Sequence, residues 1–189
     1  METKNIMIVG VGGQGTLLAS KLLGKLLLTR GYDVKVSEVH GMSQRGGSVI
    51  THVRIGEKVD SPLVDEGKAD FVLSFEMLEA LRAENYLREN GVMIYNTQRM
   101  LPMPVITGKA AYPEEKPGAK NQVALDALTL AEKAGSARAV NIVLLGVLSA
   151  FSEWDEQYWK EAITACVPPK TLETNLKAFE EGRKAAGVK

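Results

Sequence analysis

The chain has 189 residues, with 23 Lys and Arg balanced by 23 Asp and Glu, 45% hydrophobic residues and a single cysteine, Cys166. This length suits one domain with a sizeable core, and the composition excludes disorder and collagen-like repeats. One cysteine excludes a disulfide framework, and one thiolate cannot hold an iron–sulfur cluster. The balanced charge gives no general attraction to nucleic acid or to an anionic membrane.

The sequence also lacks a recognisable membrane or export segment. No stretch reaches the ~18 apolar residues that a transmembrane helix needs, and the N-terminus does not have the layout of a signal peptide. We therefore expect an intracellular, cytoplasmic protein with no membrane and no nucleic-acid partner.

The first half of the chain alternates short apolar runs with helical periodicity. The predicted strands span residues 5–9, 33–38, 48–55, 71–75 and 92–95, and the predicted helices span residues 16–29 and 76–88. The first strand, a glycine-rich loop, the first helix and the second strand together have the size of one βαβ crossover, roughly 30 residues. The alternation predicts a Rossmann-like, doubly wound α/β fold with a mostly parallel sheet and an additional strand or hairpin region.

The second half is predicted to be mainly helical. A proline-rich stretch at 101–118 predicts an irregular connection, with an edge strand at 105–107. Helices are predicted at residues 121–134, 137–151 and 156–166, followed by a last amphipathic helix after Pro168 and Pro169.

Residues 139–150 are apolar almost all round, so their helix should be buried in the core or in an interface. We expect a single α/β domain over residues 1–189, with a C-terminal helical part at about 120–185 packed on it.

A glycine-rich loop follows the first strand and has the pattern G-x-G-x-x-G. Its candidate ligand-binding residues are Gly10, Gly12, Gly13, Gln14 and Gly15. Glycines allow a tight turn and a close approach of the backbone to a phosphate, while the following helix offers free N–H groups. The loop predicts a nucleotide or phosphate ligand, and a purely structural turn is the alternative. Glu38, at the end of the second strand, is a candidate partner for a ribose, as in NAD sites.

A second glycine-rich loop precedes the third strand. Its candidate residues are Met42, Ser43, Gln44, Arg45, Gly46 and Gly47. An arginine flanked by glutamine and two glycines is typical of an anion-binding loop at the carboxyl end of a strand. The alternative is a solvated turn with Arg45 exposed. Two such loops at one sheet edge favour a shared ligand or a shared partner surface.

The remaining polar residues do not form a catalytic group. His40 and His52 are interpreted as structural, Cys166 as a packing residue, and Asn96 and Asn141 as helix caps. The chain contains no G-x-x-x-x-G-K-[ST], H-E-x-x-H, G-x-S-x-G or C-x-x-C motif. We therefore predict no catalytic residue and no metal ligand, and a self-sufficient enzyme is disfavoured.

The motifs taken together resemble the gamma-type subunit of 2-oxoacid:ferredoxin oxidoreductases. The resemblance is carried by residues 10–15, 38–49 and 54–56 and by the C-terminal stretch 167–182. The second loop, with the sequence His-Gly-Met-Ser-Gln-Arg-Gly-Gly, is most similar to the small (beta) subunit of the indolepyruvate branch. Pyruvate and 2-oxoglutarate relatives usually differ before the shared Arg-Gly-Gly.

This resemblance implies an oxidative decarboxylation of an aryl pyruvate to an acyl-CoA, with coenzyme A as co-substrate and ferredoxin as electron acceptor. Thiamine diphosphate, Mg and the iron–sulfur clusters are then expected on a large partner subunit, and none is expected on this chain alone. The two glycine loops are expected near coenzyme A or facing the partner.

Several alternatives remain open at this point. The chain could be the gamma subunit of a pyruvate, 2-oxoglutarate or branched-chain 2-oxoacid oxidoreductase. It could also be a stand-alone NAD(P)-dependent dehydrogenase, or a nucleotide-sensing binding module.

Overall fold

The computed structural model describes residues 2–41 and 47–188. Within these ranges the strands form one sheet: β1 Lys4–Val11, β2 Asp33–His40, β3 Ser48–Gly56, β4 Ala69–Ser74, β5 Leu87–Asn96 and β6 Gln122–Leu125. The helices are α1 Thr16–Leu28, α2 Met77–Ala83, α3 Met103–Ile106, α4 Ala127–Lys133, α5 Val140–Phe151, α6 Glu156–Cys166 and α7 Leu172–Ala185. No helix in the described ranges is long and apolar enough to cross a bilayer.

The sheet is mixed, in the order β2-β3-β1-β4-β5-β6. The pairs β1–β4, β4–β5 and β5–β6 are parallel, whereas β3 is antiparallel to both β1 and β2. All described strands except β3 therefore run in the same direction, which confirms the predicted α/β class with a mostly parallel sheet.

The position of β3 corrects the predicted first crossover. The chain returns from β2 directly into β3, and β3 then fills the place beside β1. As a result β2 is not a neighbour of β1, although the two strands run in the same direction.

Both faces of the sheet are covered, because alternate residues of each strand point to opposite sides. Ile6 and Ile8 pack in a large cluster with α1 and the C-terminal helices. Met7 and Val9 pack in a smaller cluster on the other face, together with α2. The predicted buried helix is confirmed, since α5 is buried from residue 141 to 149 and lies in the larger cluster.

Three of the predicted elements are wrong. The helix predicted at 121–134 is a short strand, β6, followed by α4, because the side chain of Asp126 caps α4 by accepting the N–H of Thr129 at 3.1 Å. The edge strand predicted at 105–107 lies in the short helix α3, which tolerates Pro104 in its first turn. The helix predicted at 76–88 ends at Ala83, and β5 begins at Leu87.

The helices α5 and α7 cross at two glycines. A Cβ on Gly146 would lie 2.2 Å from the carbonyl oxygen of Phe179, and one on Gly182 would lie 1.9 Å from that of Val143. Only residues without a side chain allow this approach, which fixes the C-terminal helix against the core.

Candidate ligand-binding site at the carboxyl edge of the sheet

The glycine loop joins the end of β1 to the start of α1. Gly13 and Gly15 have φ values of +99° and +90°, a region that favours glycine. Gly15 is the N-cap of α1 and provides no side chain to occupy the first-turn N–H groups. These groups and the positive end of the helix dipole are therefore available to an anion.

Gln14 closes this loop on itself. Its Oε1 accepts the N–H of Val11 at 2.7 Å, and its Nε2 donates to the carbonyl of Phe75 at 3.1 Å. The same carbonyl accepts the amide of Asn96 at 3.3 Å. One carbonyl thus ties together the carboxyl ends of β1, β4 and β5. Gln14 remains a predicted ligand contact, although both ends of its amide are used in shaping the loop.

The second predicted loop meets the first at Gly47. The N–H of Gly12 donates to the carbonyl of Gly47 at 2.9 Å, and Ser48 begins β3 opposite Val11 in β1. The other predicted residues of that loop, 42–46, lie outside the described residues. The described end of the second loop is therefore beside the first, at the same edge of the sheet.

A cleft of about 430 Å³ opens beside the glycine loop. Its lining comes from the loop, from the segments after β5 and before α5, and from α4 and α5: Gly13, Gln14, Gly15, Gln98, Leu128, Ala137, Arg138, Val140 and Asn141. Gly10 and Gly12 are not among the lining residues, and Gly10 packs against Gln14 and Phe75.

Asn141 is the most buried polar residue of the cleft, with 6% of its surface exposed. Its Oδ1 accepts the N–H of Ile142 at 2.9 Å, so it does not cap α5 in the predicted way. Its Nδ2 stands 2.6 Å from the position of a Cβ on Gly15. Among the described residues we find no hydrogen-bond acceptor for this Nδ2, so the amide can donate to a ligand.

The cleft presents donors and a positive charge. Arg138 brings the guanidinium, while the start of α1 and the Asn141 amide supply N–H groups. None of its described lining residues is acidic. This combination suits a phosphate or another anion.

Arg138 and Gln98 were not found from the sequence. Each is an isolated polar residue far along the chain from the glycine loop, and neither stands in a motif. Their position depends on how α5 and the segment after β5 pack over the loop.

The chain after β5 is held in place by the buried carboxylate of Glu76. It accepts the N–H of Met100 at 2.9 Å, the N–H of Glu79 at 3.0 Å and the hydroxyl of Tyr112 at 2.5 Å. Burial and the Glu76 carboxylate raise the pKa of Tyr112 above its usual range, so the phenol stays protonated and donates. This anchor fixes the backbone that carries Gln98 to the cleft.

Glu38 lies away from the cleft and is already paired. Its Oε2 accepts the hydroxyl of Thr51 at 2.9 Å, and its Oε1 is 2.8 Å from Nε2 of His40. Because β3 separates β2 from β1, Glu38 is two strand spacings, about 10 Å, from the strand that leads to the glycine loop. This geometry disfavours contact between Glu38 and the ribose of a nucleotide bound at the loop.

Comparison with known proteins places this chain in a family. Residues 5–185 match the family described as pyruvate ferredoxin/flavodoxin oxidoreductase. The chain belongs to this family. It is 49% identical to indolepyruvate oxidoreductase subunit IorB of Thermococcus kodakarensis, over 98% of this chain and 97% of that protein. The IorB subunit of Pyrococcus horikoshii is 46% identical over the same shares.

Solved structures show the same fold. The gamma subunit of a keto/oxoacid ferredoxin oxidoreductase from Geobacter sulfurreducens superimposes with a TM-score of 0.74 at 24% identity, covering 97% of this chain and 98% of that one. A 2-oxoglutarate:ferredoxin oxidoreductase from Magnetococcus marinus, solved with 2-oxoglutarate, coenzyme A and succinyl-CoA bound, superimposes with a TM-score of 0.77 at 20% identity. That match covers 98% of this chain and 31% of the longer one. The fold of this family member therefore also occurs as part of a larger polypeptide.

Proposed function

We propose that this chain is the small, non-catalytic subunit of a coenzyme A-dependent indolepyruvate:ferredoxin oxidoreductase. The observation that carries the proposal is its 49% identity to an IorB subunit over nearly the full length of both proteins. Ketoisovalerate and 2-oxoglutarate relatives reach 30% and 31% identity, which favours an aryl pyruvate over those substrates.

The complete reaction needs groups that this chain does not supply. A 2-oxoacid, coenzyme A and two oxidised ferredoxins give an acyl-CoA, carbon dioxide, two reduced ferredoxins and a proton. Thiamine diphosphate stabilises the carbanion left by decarboxylation, and iron–sulfur clusters carry the two electrons. With one cysteine, this chain cannot ligate a cluster, so we assign these groups, with Mg, to a large partner subunit in the cytoplasm.

Within this complex we assign the cleft beside the glycine loop to the phosphates of coenzyme A. The start of α1, the Asn141 amide and Arg138 offer donors and positive charge from three parts of the chain. The predicted residues of both loops, Gly10, Gly12, Gly13, Gln14, Gly15 and 42–47, would shape the approach of the ligand. The neighbour from Magnetococcus marinus, solved with coenzyme A bound, has this fold over 31% of its chain.

A substrate panel tests the proposed reaction. The purified complex of this chain with its large subunit is assayed for coenzyme A-dependent ferredoxin reduction with indolepyruvate, pyruvate, 2-oxoglutarate and 2-oxoisovalerate. We expect the highest kcat/KM with indolepyruvate. A higher kcat/KM with one of the other three acids would reassign the subunit to that branch of the family.

The second loop has its own test in the same complex. We expect Arg45→Ala to raise the KM for coenzyme A or to weaken assembly, and to leave the melting temperature of the chain unchanged. Unchanged coenzyme A kinetics together with unchanged assembly would show that Arg45 is only a solvated loop residue.

The dehydrogenase alternative makes an opposite prediction. A stand-alone NAD(P)-dependent enzyme would bind NADH at micromolar concentration, and its Glu38→Ala variant would lose this binding. Because Glu38 is paired with Thr51 and His40 away from the loop, we expect no such binding.

A further inference from the structure

A second cleft lies between α1, the edge strand β2 and the end of α6. We call it the β2 groove. Its volume is about 600 Å³ and its lining is Leu17, Ser20, Lys21, Gly24, Lys25, Leu28, Val34, Val36, Ala165 and Cys166. The groove shares no lining residue with the proposed coenzyme A cleft.

The groove exposes large apolar side chains. Leu17, Leu28 and Val36 are 67%, 56% and 44% exposed. Single exposed apolar residues are common, but a contiguous row along a concave surface is typical of a protein-binding site.

The backbone of β2 adds a second binding feature. β2 is at one end of the sheet and, among the described residues, pairs only with β3. Its outer N–H and C=O groups are free to pair with one more strand, a common mode of peptide recognition.

Two lysines give the groove a positive charge. Lys21 and Lys25 lie one helical turn apart on α1, and neither forms an ion pair with a described residue. Burial raises the pKa of the Cys166 thiol, and the charges of both lysines act to lower it. This opposition agrees with the position of the lysines beside Cys166. An occupant with carboxylates would neutralise the pair, whereas a neutral or basic one would leave it uncompensated.

We propose that the β2 groove binds an extended segment of the large partner subunit, which adds as a strand to β2 and carries apolar side chains and carboxylates. The apolar side chains fill the space between Leu17, Leu28 and Val36, and the carboxylates face Lys21 and Lys25. The inference relies on the chain being a subunit, and it is independent of the 2-oxoacid and of the coenzyme A cleft.

The charge pattern disfavours a second copy of this chain as the occupant. Antiparallel pairing of two β2 strands around a two-fold axis normal to the sheet would keep both α1 helices on the same face. The lysines of both copies would then lie on the same face of the seam, and like charges repel.

The test measures binding of variants to the purified large subunit that contains thiamine diphosphate and the clusters. Leu28→Lys places a third cation in the groove. The matched control Leu63→Lys makes the same change outside the groove, at a residue that is 54% exposed. We expect Leu28→Lys to raise the Kd about tenfold or more, as at an interface hot spot, and Leu63→Lys to change it less than about twofold. Melting curves of the free variants must coincide with that of the wild type.

Charge and strand addition are tested separately. The double variant Lys21→Glu, Lys25→Glu should weaken binding at low ionic strength and lose the salt dependence shown by the wild type. Hydrogen exchange on the wild-type complex should show new protection of the amides of residues 33–40.

Three results would overturn the proposal. Normal binding of Leu28→Lys together with unchanged exchange at 33–40 would place the interface elsewhere while leaving the proposed function intact. A dimer of the isolated chain that Leu28→Lys dissociates would make a second copy the occupant. Failure of the wild-type chain to bind the large subunit at all would contradict the proposed function and this site together.

Discussion

Arg138 lines the proposed coenzyme A cleft from the turn before α5. It is exposed and contributes little to folding, so its substitution can report on ligand binding alone. In the assembled complex we expect Arg138→Gln to raise the KM for coenzyme A about tenfold, the loss expected for one charge-assisted hydrogen bond to phosphate, with kcat unchanged.

The matched control for this prediction is Lys58→Gln, which removes an exposed cation at the other edge of the sheet and should leave the KM for coenzyme A unchanged. An Arg138→Gln enzyme with wild-type coenzyme A kinetics would show that the phosphates bind elsewhere. Dephospho-coenzyme A as a second substrate identifies the contacted group, because loss of discrimination in the variant assigns Arg138 to the 3′-phosphate.

His52 gives the fold a pH dependence of its own. Its Nδ1 accepts the N–H of Val64 at 3.2 Å, and burial lowers its pKa below the ordinary value of 6.5. As the pH falls, His52 is therefore protonated in the unfolded chain before it is protonated in the folded one. The free energy of unfolding should then fall as the pH drops below about 6.5 towards the lower pKa of the folded state.

Urea denaturation between pH 5 and 7 checks this prediction. We expect the slope of stability against pH to decrease in His52→Gln. An equal slope in the wild type and in His52→Gln would assign the pH dependence to other groups.

The glycine loop and Asn141 show how far the sequence determines the candidate site. The glycine loop was predictable because its turn chemistry is local, between one strand and one helix. Asn141 was expected to cap a helix, and the structure instead turns its amide towards Gly15. That placement depends on packing between α5 and the loop, which no short-range pattern encodes.

At the scale of elements, the crossing of α5 and α7 depends on two glycines. Since a Cβ on Gly182 would meet the backbone carbonyl of Val143, the helices must move apart to accept one. We expect Gly182→Ala to lower the free energy of unfolding by about 2–3 kcal/mol, the upper part of the range for overpacking.

Gly24 is the matched control in another helix. No described atom lies within 4 Å of a Cβ at this position in α1, so Gly24→Ala should raise stability by about 0.5–1 kcal/mol through helix propensity. Both changes are measured by urea denaturation of the isolated chain. A Gly182→Ala chain as stable as the wild type would mean that the helices separate without loss of core contacts.

The helices α1 and α5 and the strands β1 to β5 were predicted, whereas β6 and α3 were not. The leucine spacing of α1 and the apolar run of α5 are sufficient to define a helix. By contrast β6 has four residues, too few to separate an alternating pattern from a helical one, and Asp126 starts a helix directly after it. The insertion of β3 between β1 and β2 follows from long-range pairing, which the order of elements along the chain does not fix.

In the whole molecule, the described residues form one sheet, a cleft with donors at its carboxyl edge, and an apolar groove on an edge strand. We propose that residues 1–189 form a single domain, since α5 and α7 share the larger core cluster with β1. The two clefts would then let one small domain contact a co-substrate and a partner at separate places.

We propose that this chain completes an enzyme whose chemistry is carried by another subunit. The most direct measurement is coenzyme A-dependent reduction of ferredoxin by indolepyruvate, assayed with this chain alone, with the large subunit alone and with both. We predict no activity from this chain alone and full activity only from the two together. Activity from this chain alone, or full activity from the large subunit without it, would contradict the account.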